Sequence, residues 1–247
     1  MSENYIREPG GVVAFIEKWM ASQVEEAGAK GIVVGLSGGI DSAVVAAIAW
    51  RVFKEGALGV IMPCHSNPAD KTDALLVARH LGLPCKVVDL TAAFDVLTDA
   101  LAKGETPLTD MARANLKARL RMTTLYGAAQ STSRLVCGTG NRSEWEMGYF
   151  TKYGDAGSDL LPLLNLLKCE VRAAARWLEL PEAIITRAPT AGLWAGQTDE
   201  GEMGFTYDEL DRYLATGEAA PETIRKIQAL QAKSEHKRRP VPSCKIE

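Results

Sequence analysis

Short apolar segments alternate with longer amphipathic ones along the N-terminal half of the chain. Runs rich in valine, isoleucine and leucine predict four β-strands, at 31–36, 58–63, 85–90 and 134–140. Helical spacing of apolar residues predicts five helices around them, at 11–27, 42–53, 70–81, 91–102 and 109–128. Strands that alternate with helices are typical of parallel βαβ units. The pattern therefore predicts an α/β fold with a doubly wound parallel sheet flanked by helices.

The first predicted helix is amphipathic. Its apolar face is expected to consist of Val12, Phe15, Ile16 and Trp19, which follow the spacing of one side of a helix. We expect this face to pack against the rest of the domain.

The C-terminal half has a less regular pattern. Residues 148–163 and the glycine-rich segment 188–204 have the composition of loops, whereas 168–180 has that of a helix. Thr206 and Glu209 have the spacing of a capping box, which predicts the start of a further helix. A last predicted helix runs into a basic tail. No internal repeat and no linker interrupts the chain.

The composition is that of a globular protein without disulfides. The 247 residues are 47% hydrophobic and 24% charged, and the net charge of −3 argues against a dedicated nucleic-acid-binding protein. The five cysteines are odd in number and lack metal-site spacing, which favours a reducing compartment. The N-terminus lacks signal-peptide features, and no apolar run approaches the roughly 20 residues that span a bilayer. We expect a single cytoplasmic domain over residues 1–247, with no membrane and no nucleic-acid partner.

A glycine-rich loop, "GLSGGIDS", lies between the first predicted strand and the next helix. Gly38 and Gly39 allow the backbone to approach a ligand closely. The amides of the loop and of the helix N-terminus then point at an anion, and Ser37 and Ser42 add hydroxyl donors. The loop therefore predicts a phosphate or pyrophosphate site.

Asp41 is an unusual residue for such a site. The phosphate loop G-x-x-x-x-G-K-[ST] has a lysine before its final hydroxyl residue, where this loop has an aspartate. An aspartate would repel a phosphate unless a cation lay between them, and Mg²⁺ typically binds one or two carboxylates together with phosphate oxygens. Asp41 therefore predicts a magnesium ion on the phosphates. The alternative is that Asp41 merely caps the helix.

Several motifs carry a resemblance to a known family. "SGGIDS" resembles the SGGxDS loop of the ATP pyrophosphatases, and residues 138–163, "GTGNRSEWEMGYFTKYGDAGSDLLPL", resemble the central segment of NAD synthetases. Supporting motifs follow in the family's order: "NLKARLRM", "LLKCEVR", "APTAGLWAGQTDE", "GFTYDELD" and "HKRRP". The resemblance covers nearly the whole chain. It departs mildly at Ala156, where the family often has glycine.

The resemblance implies a fold and an activity. The fold is the Rossmann-like adenine nucleotide hydrolase type, and the expected reaction is the last step of NAD biosynthesis, the ATP-dependent amidation of deamido-NAD to NAD. The reaction passes through an acyl-adenylate and releases AMP and pyrophosphate. The family is homodimeric, with the dinucleotide near the subunit interface. Glutamine-dependent relatives carry a fused glutaminase domain, for which this chain has no room, so we expect free ammonia as donor. A separate glutaminase partner remains open.

The resemblance also implies roles for individual residues. The ATP phosphates are expected at Gly35, Leu36, Ser37, Gly38, Gly39, Ile40, Asp41 and Ser42. Further ATP contacts are expected from Thr139, Lys168 and Thr190. Deamido-NAD is expected to contact Arg119, Lys152, Asp159, His236 and Lys237. The catalytic Mg²⁺ is expected on Asp41 and Glu144, and either Asp155 or Asp159 is expected to handle ammonium.

Some of these roles have independent chemical support. Glu144 follows the turn after the fourth predicted strand, at the same sheet edge as Asp41, although a solvated helix glutamate is the alternative. Lys168 begins a helix, an unfavourable place for a cation unless an anion lies nearby. The basic residues 236–239 read alternatively as a nucleic-acid patch or a tail. Trp194, in the glycine-rich segment, suggests a lid that excludes water.

Two other functions compete with this interpretation. The first is another ATP pyrophosphatase, which would act on tRNA or on a nucleotide such as xanthosine monophosphate. A tRNA thiolase should have paired reactive cysteines or a strongly basic face, and this sequence shows neither. A nucleotide-binding sensor would keep the fold without catalysis, and the retention of Asp41 and Glu144 argues against it.

Overall fold

A computed structural model describes residues 5–188 and 199–244 of the chain. Four strands form one parallel sheet: β1 (Ile32–Gly35), β2 (Ala57–Ile61), β3 (Cys85–Val87) and β4 (Leu135–Cys137). Their order in the sheet is β3-β2-β1-β4. The chain therefore reverses its direction of travel across the sheet between β1 and β4, and ligands bind at such a switch point in open α/β sheets.

Eleven α-helices surround the sheet in the described part of the chain. They are α1 (Pro9–Glu26), α2 (Ile40–Phe53), α3 (Pro68–Leu81), α4 (Thr91–Lys103), α5 (Asp110–Ser131), α6 (Arg142–Met147), α7 (Lys168–Trp177), α8 (Glu182–Ile185), α9 (Asp199–Met203), α10 (Tyr207–Thr216) and α11 (Pro221–Arg238). A 3₁₀ turn, Lys54–Gly56, separates α2 from β2.

Both faces of the sheet are covered. Ile32 and Val34 of β1 belong to a large core that also contains residues of α1, α2, α3 and α7. Val33, which points to the other face, packs in a second core with residues of α4 and α5. The predicted doubly wound parallel sheet is confirmed by this arrangement.

A third, smaller core lies among the C-terminal helices. Met147 at the end of α6 packs with Met203 and Phe205, with Tyr207 and Leu210 of α10, and with Ile227 of α11. This layer fixes α6 and α10 beside α7, whose first residue is Lys168.

The structure differs from the predictions in several local respects. The face of α1 that packs into the core is rotated, because Val13, Ile16 and Met20 are buried whereas Phe15 is 72% exposed. The strands are shorter than predicted, and the glycines after Cys137 lie in a turn. The short helices α6, α8 and α9 were not predicted. No helix in the described ranges is long and apolar enough to cross a membrane.

Candidate active site

The predicted phosphate loop connects β1 to α2. Gly38 has a φ of +83°, and a Cβ atom there would lie 2.6 Å from the carbonyl oxygen of Asp70, so only glycine fits this position. Ser37 Oγ accepts from the Gly39 amide at 3.2 Å and lies 3.1 Å from Ser42 Oγ. The first amides of α2 have no partner within the helix, which leaves them available to an anion.

Asp41 is the second residue of α2, and Gly39 occupies the N-cap position. The alternative in which Asp41 caps the helix is therefore wrong. Its carboxylate instead accepts hydrogen bonds from distant residues. Asn141 Nδ2 donates to Oδ1 at 2.8 Å, and Lys168 Nζ donates to Oδ2 at 2.6 Å.

Lys168 brings Asp41 and Glu144 together. Its ammonium also donates to Glu144 Oε1 at 2.9 Å. The Lys168 side chain is 2% exposed, whereas the side chains of Asp41 and Glu144 are 16% and 19% exposed. Three residues that were predicted from separate segments thus meet at the switch point of the sheet.

The charges of this cluster depend on one another. Burial alone would lower the pKa of Lys168, but the Asp41 and Glu144 carboxylates outweigh it and raise that pKa, so the ammonium stays charged. Burial and the neighbouring Asp41 carboxylate raise the pKa of Glu144, against the effect of Lys168. The Lys168 ammonium also lies 5.2 Å from the centre of the Tyr207 ring, a cation–π distance.

The residues present fit a magnesium ion. Two carboxylates that reach one cation are the protein ligands that Mg²⁺ typically takes, with phosphate oxygens and water completing its shell. Among the residues that the structure describes, no cluster of three or more histidine, cysteine, aspartate or glutamate side chains could hold a metal by itself. A donor set of two carboxylates, Asp41 and Glu144, suits a metal whose other ligands are phosphate oxygens and water.

Asn141 is a site residue that the sequence analysis missed. It is the N-cap of α6 and forms a capping box with Glu144, whose amide donates to Asn141 Oδ1 at 3.0 Å. Its Nδ2 group holds Asp41 at the same time. The N-x-x-E spacing of "NRSE" is a capping-box signal that could have identified it.

Arg187 supports the phosphate loop from outside. Its Nη1 donates to Asp73 Oδ2 at 2.8 Å and to the carbonyl oxygen of Gly38 at 3.4 Å, and its Nη2 pairs with Asp70. The guanidinium therefore ties the loop to α3. Nothing in the local sequence around Arg187 indicated this role.

Three of the residues predicted to contact deamido-NAD, Arg119, Lys152 and His236, are joined by hydrogen bonds. Arg119 on α5 donates to the carbonyl oxygen of Lys152 at 3.3 Å, and Lys152 Nζ donates to the carbonyl oxygen of His236 at 2.9 Å. Lys237 Nζ donates to two backbone carbonyl oxygens of the segment after α6, at 2.7 and 2.8 Å. A cavity of about 600 Å³ borders Lys152 and His236.

Asp155 and Asp159 have different surroundings. Asp159 Oδ2 accepts from the Val136 amide at 2.7 Å, and Oδ1 accepts from Tyr126 Oη at 3.0 Å. Burial, reinforced by the bond to Asp159, raises the pKa of Tyr126 to about 12. Asp155 Oδ1 accepts from the Thr151 amide at 2.9 Å. Both oxygens of Asp159 are thus committed to the structure between β4 and α5.

The remaining predicted contacts are less defined. Thr139 is partly buried in the turn between β4 and α6. Thr190 and Trp194 lie outside the described residues. The proposed ATP contact of Lys168 stays a prediction, because its ammonium is bonded here to two carboxylates.

Comparisons with known proteins identify the family of the chain. The family model described as NAD synthase matches residues 12–241. A relative from Carboxydothermus hydrogenoformans, named NH(3)-dependent NAD(+) synthetase, is 55% identical over 223 residues, which cover 90% of this chain and 91% of the relative.

Solved structures with the same fold include two of particular interest. An NMN synthetase from Francisella tularensis has a TM-score of 0.92 and 36% identity, with 97% of this chain and 100% of that chain covered. An NH3-dependent NAD synthetase from Campylobacter jejuni, in complex with the nitrate ion, has a TM-score of 0.80 and 29% identity, with 97% and 100% covered. By the match to the family model and the identity with the relative from Carboxydothermus hydrogenoformans, the chain belongs to the NAD synthase family.

Proposed function

We propose that this protein is an ammonia-dependent NAD synthetase, a ligase that converts deamido-NAD, ATP and ammonia into NAD, AMP and pyrophosphate. The observation that carries the proposal is the convergence of Asp41, from the phosphate loop, with Glu144 on the ammonium of Lys168. This convergence lies where ligands bind in open α/β sheets.

The chemistry explains the need for ATP. The nicotinate carboxylate is a poor acyl donor, since its leaving group would be oxide. A carboxylate oxygen therefore attacks the α-phosphorus of ATP, which forms the acyl-adenylate and releases pyrophosphate. Ammonia then attacks the carbonyl carbon, loses a proton, and AMP leaves with the carboxylate oxygen.

The protein contributes mainly positioning and electrostatics. The loop amides and the hydroxyls of Ser37 and Ser42 bind the phosphates. Asp41 and Glu144 would hold Mg²⁺, which supplies neutralisation of charge on the leaving pyrophosphate when it is bound. The proposed reaction requires no nucleophilic side chain.

Asp155 is the better candidate for handling ammonium. Both carboxylate oxygens of Asp159 already accept hydrogen bonds from the Val136 amide and the Tyr126 hydroxyl. The bonds that Asp155 accepts come from within its own loop, from Thr151 and from its own amide, so they do not tie it to a strand or a long helix. We therefore assign ammonium binding or deprotonation to Asp155, and the Asp155→Asn variant should show a raised KM for ammonium.

Nicotinate mononucleotide is a second candidate substrate. The solved structure that matches with a TM-score of 0.92 is called an NMN synthetase. The same chemistry on nicotinate mononucleotide would produce nicotinamide mononucleotide, without the adenylate half of the dinucleotide. We expect the surface formed by Arg119, Lys152 and His236, where the dinucleotide is predicted to bind, to decide between the two acids.

One assay separates these outcomes. Purified protein, Mg-ATP and ammonium are mixed with either deamido-NAD or nicotinate mononucleotide, and the amide products, AMP and pyrophosphate are quantified. Higher kcat/KM with deamido-NAD supports the main proposal, and higher kcat/KM with the mononucleotide supports the second. Formation of neither amide refutes both.

Isotopic labelling tests the intermediate. With ¹⁸O in the nicotinate carboxylate, an acyl-adenylate delivers one labelled oxygen to AMP, whereas an acyl phosphate would deliver it to inorganic phosphate. Replacement of ammonium by glutamine tests the nitrogen donor. EDTA tests the metal requirement, and sedimentation velocity tests the expected homodimer.

A further inference from the structure

The N-cap residue of α7 has no side chain that can cap the helix. The residue before the helix, Leu167, has an aliphatic side chain that cannot accept a hydrogen bond. The first amides of a helix have no partner within it. Lys168 also places a positive charge at the positive end of the helix dipole. Glu170 in the first turn accepts from the Leu167 amide at 2.9 Å, so the amides of Lys168 and Cys169 are the ones that need acceptors from other elements.

Two buried side chains from other helices supply the missing acceptors. The Lys168 amide donates to Ser143 Oγ of α6 at 3.0 Å, and Ser143 Oγ donates to Asp211 Oδ1 of α10. The second oxygen, Asp211 Oδ2, accepts from the Cys169 amide at 2.7 Å. Ser143 and Asp211 are both 0% exposed.

The partners of Asp211 are the immediate neighbours of two site residues. Ser143 precedes Glu144 in α6, and Cys169 follows Lys168 in α7. One carboxylate thus joins the helix that carries Glu144 to the helix that carries Lys168. A buried chain of hydrogen bonds of this kind holds its members in one geometry.

We propose that Asp211 is a positioning residue for the reaction: its buried carboxylate fixes the N-termini of α6 and α7 so that Glu144 and Lys168 face Asp41. The inference rests on the proposed function for its catalytic consequence. An ionised carboxylate suits this position because it accepts hydrogen bonds through both oxygens. The NH₂ group of an asparagine would instead face either the Ser143 hydroxyl or the Cys169 amide, both of which are donors.

The test compares Asp211→Asn with Asp208→Asn. Both residues lie on α10 and both accept hydrogen bonds from α7, but Asp208 bonds to the Arg172 side chain at 3.2 Å and is 72% exposed. We expect Asp211→Asn to lower kcat by about tenfold or more, with little change in the KM for deamido-NAD. The Asp208→Asn control should keep both values near those of the wild type.

A second readout does not depend on turnover. Mn²⁺ binding in the presence of α,β-methylene-ATP is measured by electron paramagnetic resonance. Weaker Mn²⁺ binding by Asp211→Asn, with unchanged binding by Asp208→Asn, supports the inference. Wild-type kcat and wild-type Mn²⁺ affinity in Asp211→Asn would overturn it, even if the variant is less stable.

Ser143→Ala provides a variant that keeps the carboxylate. The same direction of change in kcat and Mn²⁺ affinity is expected, and the double variant with Asp211→Asn should be no worse than Asp211→Asn alone. Additive losses in kcat would contradict action through Ser143. If Asp211→Asn does not fold, unchanged values in Ser143→Ala overturn the inference. If the wild type makes no NAD, the proposed function fails separately, and the Mn²⁺ measurement still tests Asp211.

Discussion

Replacement of Lys168 by methionine would remove one charge from the buried cluster while nearly preserving its volume. The Lys168 side chain is 2% exposed, and its ammonium lies 2.6 Å from Asp41 and 2.9 Å from Glu144. After the substitution, two carboxylates would face each other without a counter-charge. We expect these uncompensated charges to destabilise the folded protein. Since the methionine itself packs without strain, the loss of stability reports the removed charge alone.

The magnitude follows from the surroundings. Removal of one partner of a buried ion pair typically costs about 3–5 kcal/mol. The side chains of Asp41 and Glu144 keep 16% and 19% of their exposure, and Glu144, whose pKa burial has already raised, can take up a proton. We therefore expect a loss of about 3 kcal/mol, from the lower end of that range, out of a total stability of roughly 5–15 kcal/mol.

Urea unfolding followed by circular dichroism at pH 7.5 with EDTA measures this loss. The matched control is Lys226→Met, which removes an exposed ammonium 3.0 Å from Glu222 and should cost about 1 kcal/mol or less. Adding Asp41→Asn to Lys168→Met should restore part of the stability, because one buried charge is then removed. If Lys168→Met loses no more than Lys226→Met, the ammonium is not the counter-ion of the cluster.

Three further substitutions test other parts of the structure. Asn141→Ala removes the α6 cap and a bond to Asp41, so we expect a loss of about 1 kcal/mol and a higher Mg²⁺ concentration for half-maximal velocity. Gly38→Ala introduces a Cβ 2.6 Å from a carbonyl oxygen, and the KM for ATP should rise about tenfold or more. Burial would raise the pKa of Glu170, but hydrogen bonds from Arg7 outweigh it and lower that pKa. The Arg7–Glu170 pair therefore contributes its full stabilisation of the fold above about pH 4.3. This stabilisation is lost as the pH falls further and Glu170 becomes protonated. Glu170→Gln should cost about 2 kcal/mol at pH 7, and a gap to the wild type that persists near pH 2 would contradict the assignment.

The sheet and its functional edge could be predicted from the sequence. The alternation of strand-like runs with helices predicted a parallel sheet. Because ligands bind at the carboxyl ends of parallel strands, Asp41 and Glu144 were predicted to lie at the same edge of that sheet. The strand order was not available from local pattern, because the position of β4 beside β1 depends on packing between residues far apart in the chain. That neighbourhood is what brings the two carboxylates to the same ammonium.

Other features depended on tertiary contacts that leave little local signal. The face of α1 that contains Phe15 satisfies helical spacing, yet the core receives the face with Val13 and Met20, since α2 and α7 lie on that side. Ser143 and Asp211 are 68 residues apart in sequence. The sequence around Ser143 and Asp211 has no spacing that predicts a hydrogen bond between them. Aspartates are rarely fully buried, so residue type alone would predict Asp211 at the surface.

The position of Lys168 shows how such contacts resolve an apparent conflict in the sequence. A cation at the first position of a helix opposes the helix dipole, so in isolation Lys168 disfavours the start of α7. In the fold, carboxylates from three other helices surround this start: Asp41 of α2 and Glu144 of α6 bind the ammonium, and Asp211 of α10 caps an amide. Their negative charges offset both the lysine and the helix dipole. Together with Glu170 in the first turn of α7, these helices stabilise the helix start, so contacts that support α7 at Lys168 also assemble the carboxylate pair.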